Sequence, residues 1–281
     1  MKIFDLTGPA HPVPLIIAHR GASAVAPENT LAAFRRAMEF GADGIEFDVR
    51  LAADGVPVVI HDPSLKRTAR RRGKVAAYSS EELSHIDVGS WFSRPGKNGA
   101  KTEFADERIV TLASALEFLN GFRGEIYVEL KCKNDDLYPL ARASAAVIER
   151  AEVTGTLIVK SFRLPVVTFF RENLPEVRTA ALFAPKIKTI LRKEKHLVRL
   201  AEEIGAHELS IHYSLATEKL MKKAAKAGLP VAIWTADHGR WVKRAARLGV
   251  KAVITNDPAK LLKKREEFLG VTELKTAVTS A

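Results

Sequence analysis

The sequence predicts an α/β fold, a TIM-type (β/α)8 barrel with a small insertion after its second strand. Three observations carry that expectation. Nine short, β-branched apolar runs alternate with helix-length stretches, the pattern of a parallel sheet with crossover helices. One pair of runs is separated only by a few residues centred on Asp54-Gly55, too little for a crossover helix but a strong hairpin signal. No G-x-G-x-x-G follows the first run, which favours a closed barrel over an open dinucleotide-binding sheet.

The first strand is Leu15–Ala18, and apolar residues three or four apart (Leu31, Phe34, Ala37, Met38) then form one helical face. The second strand, Gly44–Asp48, runs past the rim, turns on Asp54-Gly55 and returns as Pro57–Ile60. A two-residue turn sets Ala53 opposite Val56, Leu51 opposite Val58 and Asp48 opposite His61. Residues 62–110 exceed a simple βα loop. They hold a basic run, a capping-box-like Ser79-Ser80-Glu81-Glu82 and the Gly- and aromatic-bearing DVGSWFSRPGKNG. This reads as an insertion on the catalytic face, ahead of a helix starting near Thr111. Strands at Glu125–Leu130, Thr156–Lys160, Arg178–Leu182, His207–Ile211, Pro230–Ile233 and Ala252–Thr255 complete eight parallel strands. The expected organisation is one catalytic barrel domain over 1–270 and a loosely ordered C-terminal tail over 271–281.

Composition narrows the function classes. A length of 281 residues suits one barrel domain. Aromatics at 7% against abundant Leu, Ile, Val and Ala fit an α/β core better than an all-β one. The single cysteine, Cys132, excludes an internal disulfide framework and a Cys-rich zinc site. No run of about 18 apolar residues is present, and the first residues lack a secretory apolar stretch, so a cytoplasmic location is expected. The net charge of +11 is clustered. Residues 66–74 (KRTARRRGK) and 186–199 (KIKTILRKEKHLVR) are both strongly basic, suited to solubility, to phosphorylated small molecules or to a transient anionic membrane surface. Nucleic acid is not expected, because no binding motif or aromatic-rich basic groove accompanies the charge.

Barrel active sites lie at the C-terminal ends of the strands. Strand one ends in His19-Arg20. Strand two carries Glu46 and Asp48 on one face, its return arm ends in His61-Asp62, and Glu129 and Lys131 share a face at the end of the next strand. An inward carboxylate is costly unless paired or metal-bound. Glu46, Asp48 and Glu129 together make an all-oxygen site suited to a divalent cation, Mg²⁺ or Ca²⁺, rather than to zinc. The alternative is a buried ion-pair network in which Arg20 and Lys131 neutralise the acids. His19 and His61 flank the carboxylates as an acid–base pair of the kind phosphoester cleavage requires, and Arg20 and Lys131 supply cations for phosphoryl oxygens. His212, near the end of strand six, is a weaker candidate.

These stretches resemble the glycerophosphodiester phosphodiesterases. The resemblance rests on IIAHRGASAVAPENTLAAFRRAMEFGADGIEFDVRLAADGVPVVIHDPSLKRT at 16–68, SWFS and ERIVTLASAL within 90–116, and YVELK at 127–131. It continues in KSF at 160–162 and GLPVAIWTADHGRWVKRAARLGVKAVITNDP at 228–258. It implies a barrel that hydrolyses a small-molecule glycerophosphodiester to glycerol 3-phosphate and an alcohol with a divalent cation. It assigns His19 and His61 as the acid–base pair, Glu46, Asp48 and Glu129 as metal ligands, and Arg20 and Lys131 as phosphate contacts. Trp234 matches an aromatic of the substrate mouth, and Asn29 falls in the Pro-Glu-Asn-Thr element. Two positions depart from the pattern, and neither belongs to that catalytic set. Asp237 stands where Asn is usual, and Lys251-Ala252 stands where Asp-Gly is usual. A lysophospholipase D-like activity on lipid phosphodiesters and, behind it, a non-catalytic phosphate- or nucleic-acid-binding barrel are the alternative readings.

Overall fold

Alternation of apolar strands with one-faced helices drives the chain into a ring, because each helix can bury its apolar stripe only against the sheet. A computed structural model describes residues 13–92, 103–185 and 194–279. The strands are β1 Leu15–His19, β2 Gly44–Leu51, β3 Pro57–Val59, β4 Glu125–Leu130, β5 Thr156–Ser161, β6 Arg178–Phe183, β7 Glu208–His212, β8 Val231–Trp234 and β9 Ala252–Thr255. The helices are α1 Leu31–Glu39, α2 Ser80–Ser84, α3 Leu112–Phe118, α4 Leu137–Glu149, α5 Leu164–Asn173, α6 Glu194–Glu203, α7 Glu218–Lys226, α8 Arg240–Leu248 and α9 Pro258–Thr279.

The sheet order is β1-β9-β8-β7-β6-β5-β4-β2-β3, and β1 also pairs with β2. That last pairing closes the ring: every strand but β3 is parallel to its neighbours. The expected eight-stranded barrel is therefore what forms. Strand β3 is antiparallel to β2, as the hairpin reading required, but its register differs by one residue. Val49 faces Val59 and Leu51 faces Pro57, and the Ile60 amide donates to the Asp48 carbonyl at 2.9 Å. Ile60, not His61, is thus opposite Asp48. The cause is the turn. Ala53, Asp54 and Gly55 form a three-residue loop between Ala52 and Val56, and Gly55 takes the left-handed conformation at φ 78°, the three-residue hairpin with Gly at its αL position.

The insertion starts its short helix α2 with a complete capping box. The Ser79 side chain accepts from the Glu82 amide while Glu82 accepts from the Ser79 amide. Thr111 caps α3, where the sequence placed that helix. Helix α9 runs through Thr279, past residue 270, where the barrel domain was expected to give way to a tail. The part of the second basic run at 186–193 lies outside the described residues. Among the described residues no helix is long and apolar enough to cross a membrane.

Inside the ring, side chains form layers. The middle is apolar: Ile17, Ile158, Ala180, Ala232, Ala252 and Ile254 pack around the ring of Tyr127. Below it, at the N-terminal ends of the strands, Lys251 Nζ lies 2.6 Å from Glu125 and 2.7 Å from Glu208. The Tyr127 hydroxyl donates to Glu125 at 2.8 Å. Lys251 therefore bridges the two buried carboxylates of the barrel floor, at the opposite end from the mouth, and burial together with Glu208 pushes the Glu125 carboxyl up. Its departure from the usual Asp is compensated locally and does not reach the substrate side.

Candidate active site at the barrel mouth

Parallel register brings the chemistry-bearing residues side by side. His19 pairs with Glu46, Asp48 with Glu129, and Glu129 with Lys160. Glu46 and Asp48 alternate inward along β2 because strand side chains repeat every two residues. The outcome is a group of three carboxylates, Glu46, Asp48 and Glu129, whose candidate ligand oxygens lie within 4.8 Å of one another. All three are buried.

Carboxylates so placed need cations. Lys160 Nζ lies 2.9 Å from Glu46 and 3.8 Å from Glu129. Lys131 Nζ lies 3.2 Å from Asp48 and 2.5 Å from Glu129. Arg20 Nε lies 3.1 Å from Asp48. Burial alone would raise the carboxyls, but these cations together outweigh it. Lys131, Arg20 and the two histidines hold Asp48 far below the usual carboxylate range, and Lys160 with His19 holds Glu46 below it. The ion-pair network weighed from sequence is thus present, with Lys160 as a third cation. Glu46 Oε1, Asp48 Oδ1 and Glu129 Oε1 are the oxygens that meet these ammonium groups, and they do so as ion pairs without hydrogen-bond alignment. Three hard oxygen donors held together in this way fit a divalent cation in place of the ammonium groups.

The histidines stand on either side. His19 ends β1, with Nδ1 2.6 Å from Asn256 Oδ1 and Nε2 3.9 Å from Glu46. His61 follows β3, with Nδ1 2.7 Å from Asp62. Burial, helped by Arg20 and Lys131, lowers the His61 pKa against the opposing pull of Asp48 and Asp62. Arg50 ties the two flanking segments together, donating from Nε to the His61 carbonyl at 2.6 Å and from Nη1 to the Lys131 carbonyl at 3.3 Å.

Arg20 has φ 57°, unusual for a residue with a side chain. Its amide donates to Glu46 at 3.1 Å and its guanidinium to Glu28 at 2.7 Å, so contacts at both ends hold the strained backbone. Asn29, also left-handed at φ 59°, makes a two-way pair with Asp48: its Nδ2 donates to Oδ2 at 2.9 Å and its Oδ1 accepts from the Asp48 amide at 3.1 Å. Arg67, from the first basic run, donates to both Glu28 oxygens at 2.6 and 2.7 Å and to Asp62 at 2.7 Å. That part of the run is a brace linking Arg20 to His61 through two carboxylates.

Trp234 ends β8 at the rim and meets Phe162 edge-on at 5.5 Å and His212 at 5.4 Å. Phe162 is 42% exposed. This forms an aromatic wall in which His212, also bonded to Ser214, is a wall member apart from the carboxylate group. Cys132 is pushed up to about 11 by burial and by Asp136, so it is a thiol at neutral pH and no nucleophile.

All nine residues singled out from sequence lie at this mouth. Sequence reading missed Lys160, Asn256, Arg50 and Arg67. Lys160 carried a usable signal: it is the one charge closing the apolar run Leu157–Val159, the same signal that exposed Glu46. The others are recognisable only once distant segments are brought together.

Lys160 supplies a first test. It is 1% exposed between two carboxylates, and breaking a buried pair costs about 3–5 kcal/mol. Lys160→Met should lower the metal-free protein's urea-derived stability by that order, and added divalent cation should restore part of it. An unchanged midpoint would show that the carboxylates do not depend on it.

Comparison with known proteins agrees with this geometry. Residues 19–260 match the family described as the glycerophosphoryl diester phosphodiesterase family. A glycerophosphodiester phosphodiesterase of Caldanaerobacter subterraneus is 34% identical over 252 residues, covering 88% of this chain and 96% of its own. One from Bacillus altitudinis is 30% identical over 255 residues, covering 90% and 98%. Among solved structures, an Oleispira antarctica phosphodiesterase in complex with its product sn-glycerol-3-phosphate superposes with a TM-score of 0.80 at 27% identity, covering 90% and 97%.

Proposed function

The chain belongs to the glycerophosphoryl diester phosphodiesterase family, and from that premise we propose that its barrel mouth hydrolyses small glycerophosphodiesters to glycerol 3-phosphate and an alcohol. The observation that carries the reading is the convergence of three buried carboxylates, two histidines and two cations on one mouth. The product-bound Oleispira structure supports the choice of glycerol 3-phosphate as the retained half.

Glu46, Asp48 and Glu129 would hold a divalent cation, Mg²⁺ or Ca²⁺, which offsets charge developing on the phosphoryl oxygens. Arg20, with its planar fork of donors, and Lys131 bind the non-bridging oxygens. A cation on the carboxylates would release these two side chains from neutralising them. Asn29 holds Asp48 in place through its two-way pair. Trp234 and Phe162 offer an apolar wall to the carbon skeleton of the substrate. One histidine takes the proton of the nucleophile, and the other returns a proton to the departing alcohol.

A transient encounter with an anionic membrane surface is proposed as a second partner. Arg240, Lys243, Arg244 and Arg247 recur at i, i+3, i+4 and i+7 along α8, all exposed. None of the four has an ion-pair partner among the described residues, and they line a groove of about 570 Å³ that also contains Glu218. No large exposed apolar side chain sits among them, so contact would be electrostatic, about 1 kcal/mol per cation near the surface.

Three measurements test these proposals. Product assays on glycerophosphocholine and glycerophosphoethanolamine should show turnover with Mg²⁺ or Ca²⁺ and none after exhaustive chelation. His19→Ala and His61→Ala should each lower kcat by roughly 10²–10⁴-fold while the protein stays folded; a variant near wild-type rate removes that histidine from the mechanism. For the surface, neutralising the four α8 cations should abolish sedimentation with phosphatidylglycerol vesicles and leave kcat on glycerophosphocholine unchanged. Equal vesicle binding by the variant would eliminate the surface role.

A further inference from the structure

Behind His19 lies a chain of hydrogen bonds that fixes where its proton sits. Asp237, in the β8–α8 loop, receives three donors. Its Oδ1 accepts from the Asn256 amide at 2.7 Å and the Thr255 hydroxyl at 2.9 Å, and its Oδ2 accepts from Asn256 Nδ2 at 2.8 Å. A carboxylate can only accept, so Asn256 must turn its Nδ2 toward Asp237. Its Oδ1 is then the atom that faces His19 Nδ1 at 2.6 Å. The Asn256 backbone is held too, because its carbonyl accepts from the Ala24 amide at 2.9 Å. The Ser23 hydroxyl, 3.0 Å from Asn256 Oδ1 and 2.8 Å from the His19 carbonyl, supplies a further donor on that side.

An amide oxygen offered to Nδ1 requires Nδ1 to carry the proton. In the neutral ring Nε2 is then a bare lone pair. The carboxylate of Glu46, 3.9 Å from Nε2, is too far for a hydrogen bond. We infer that Asp237 and Asn256 are positioning residues that lock His19 in the Nδ1–H tautomer, and that His19 is the histidine that accepts the nucleophile's proton through Nε2. His61, already paired through Nδ1 with Asp62, is left to return a proton to the departing alcohol. The assignment rests on the proposed hydrolysis and specifies which of its two histidines does which step. It also gives Asp237 a purpose: it sits behind the catalytic ring, not in the substrate mouth.

The chain of donors makes a sharp prediction. In Asp237→Asn the oxygen must stay toward the Asn256 amide, which cannot reverse. The new amide nitrogen then faces Asn256 Nδ2, donor against donor. Asn256 relieves this by turning over and presenting Nδ2 to His19 Nδ1, which forces the ring to Nε2–H and removes the base. Combining Asp237→Asn with Asn256→Asp exchanges the two side chains and restores every pair. The carboxylate, now at position 256, accepts from His19 Nδ1. The amide, now at position 237, donates to that carboxylate through its nitrogen, and its oxygen accepts the two remaining donors.

Long-range ¹⁵N–¹H correlation of the histidine rings at about pH 8.5, above the ordinary imidazole range, reads the tautomer directly in protein with Mg²⁺ present. Wild type and the exchanged double variant should show His19 protonated at Nδ1, and Asp237→Asn should show it at Nε2. In steady-state kinetics Asp237→Asn should lose roughly 10²–10⁴-fold in kcat with KM little changed, as expected for a base held in the wrong tautomer, and the exchange should recover most of it. A wild-type ring protonated at Nε2 would overturn the inference. So would an inverted ring with undiminished kcat, or an exchange that folds but recovers neither tautomer nor rate. The spectrum is read on resting protein. Absence of turnover by the wild type would therefore sink the hydrolase reading separately, with the ring assignment still decided.

Discussion

Three carboxylates facing into a closed barrel cannot stay ionised without positive charge beside them, and that requirement organises the mouth. Glu46, Asp48 and Glu129 are fully or nearly fully buried on adjacent strands. Lys131, Lys160 and Arg20 meet them from the following strands and from the β1 loop. The balance is three against three. It lets the mouth fold ahead of any metal, and a divalent cation held by the carboxylates would free Lys131 and Arg20 for the phosphate of the proposed substrate.

Around that centre, each reactive group is held from behind. Asp237 and Asn256 hold His19, Asp62 and Arg67 hold His61, and Asn29 holds Asp48. The holders come from the β8 and β9 loops, the β1 loop and the insertion. This explains why the insertion sits on the catalytic face: Arg67 reaches from it to Glu28 and Asp62. Rigid placement of this kind costs little reorganisation at the moment of reaction, which is how electrostatic catalysis gains its advantage over water. At the other end of the barrel, a single Lys251 bridges Glu125 and Glu208, away from the mouth.

Much of this was legible in the chain. Period-two alternation in a parallel sheet put Glu46 with Asp48, and strand ends located His19, His61, Lys131 and Trp234. The hairpin was legible, its register was not: Asp54-Gly55 suits a two-residue turn, and only the observed left-handed Gly55 within a three-residue loop shifts Ile60, rather than His61, opposite Asp48. A one-residue slip of this kind is decided by backbone conformation, which composition does not encode. Asn256 and Arg67 were silent for another reason. Their roles depend on partners 237 and 39 residues away, and no local pattern announces such a contact. Basic charge was legible as a total but not as a function, since Arg67 is a brace whereas the α8 stripe has no ion-pair partner among the described residues.

The central claim, that the buried carboxylate trio is the cation site on which hydrolysis depends, is tested most directly by calorimetric titration of Mg²⁺ and Ca²⁺ into the chelated protein and into Asp48→Asn. The account predicts one ion bound per wild-type chain, recovery of glycerophosphocholine turnover in step with its binding, and loss of both in the variant. Undiminished ion binding by Asp48→Asn, or full turnover by the wild type with no ion bound, would contradict it.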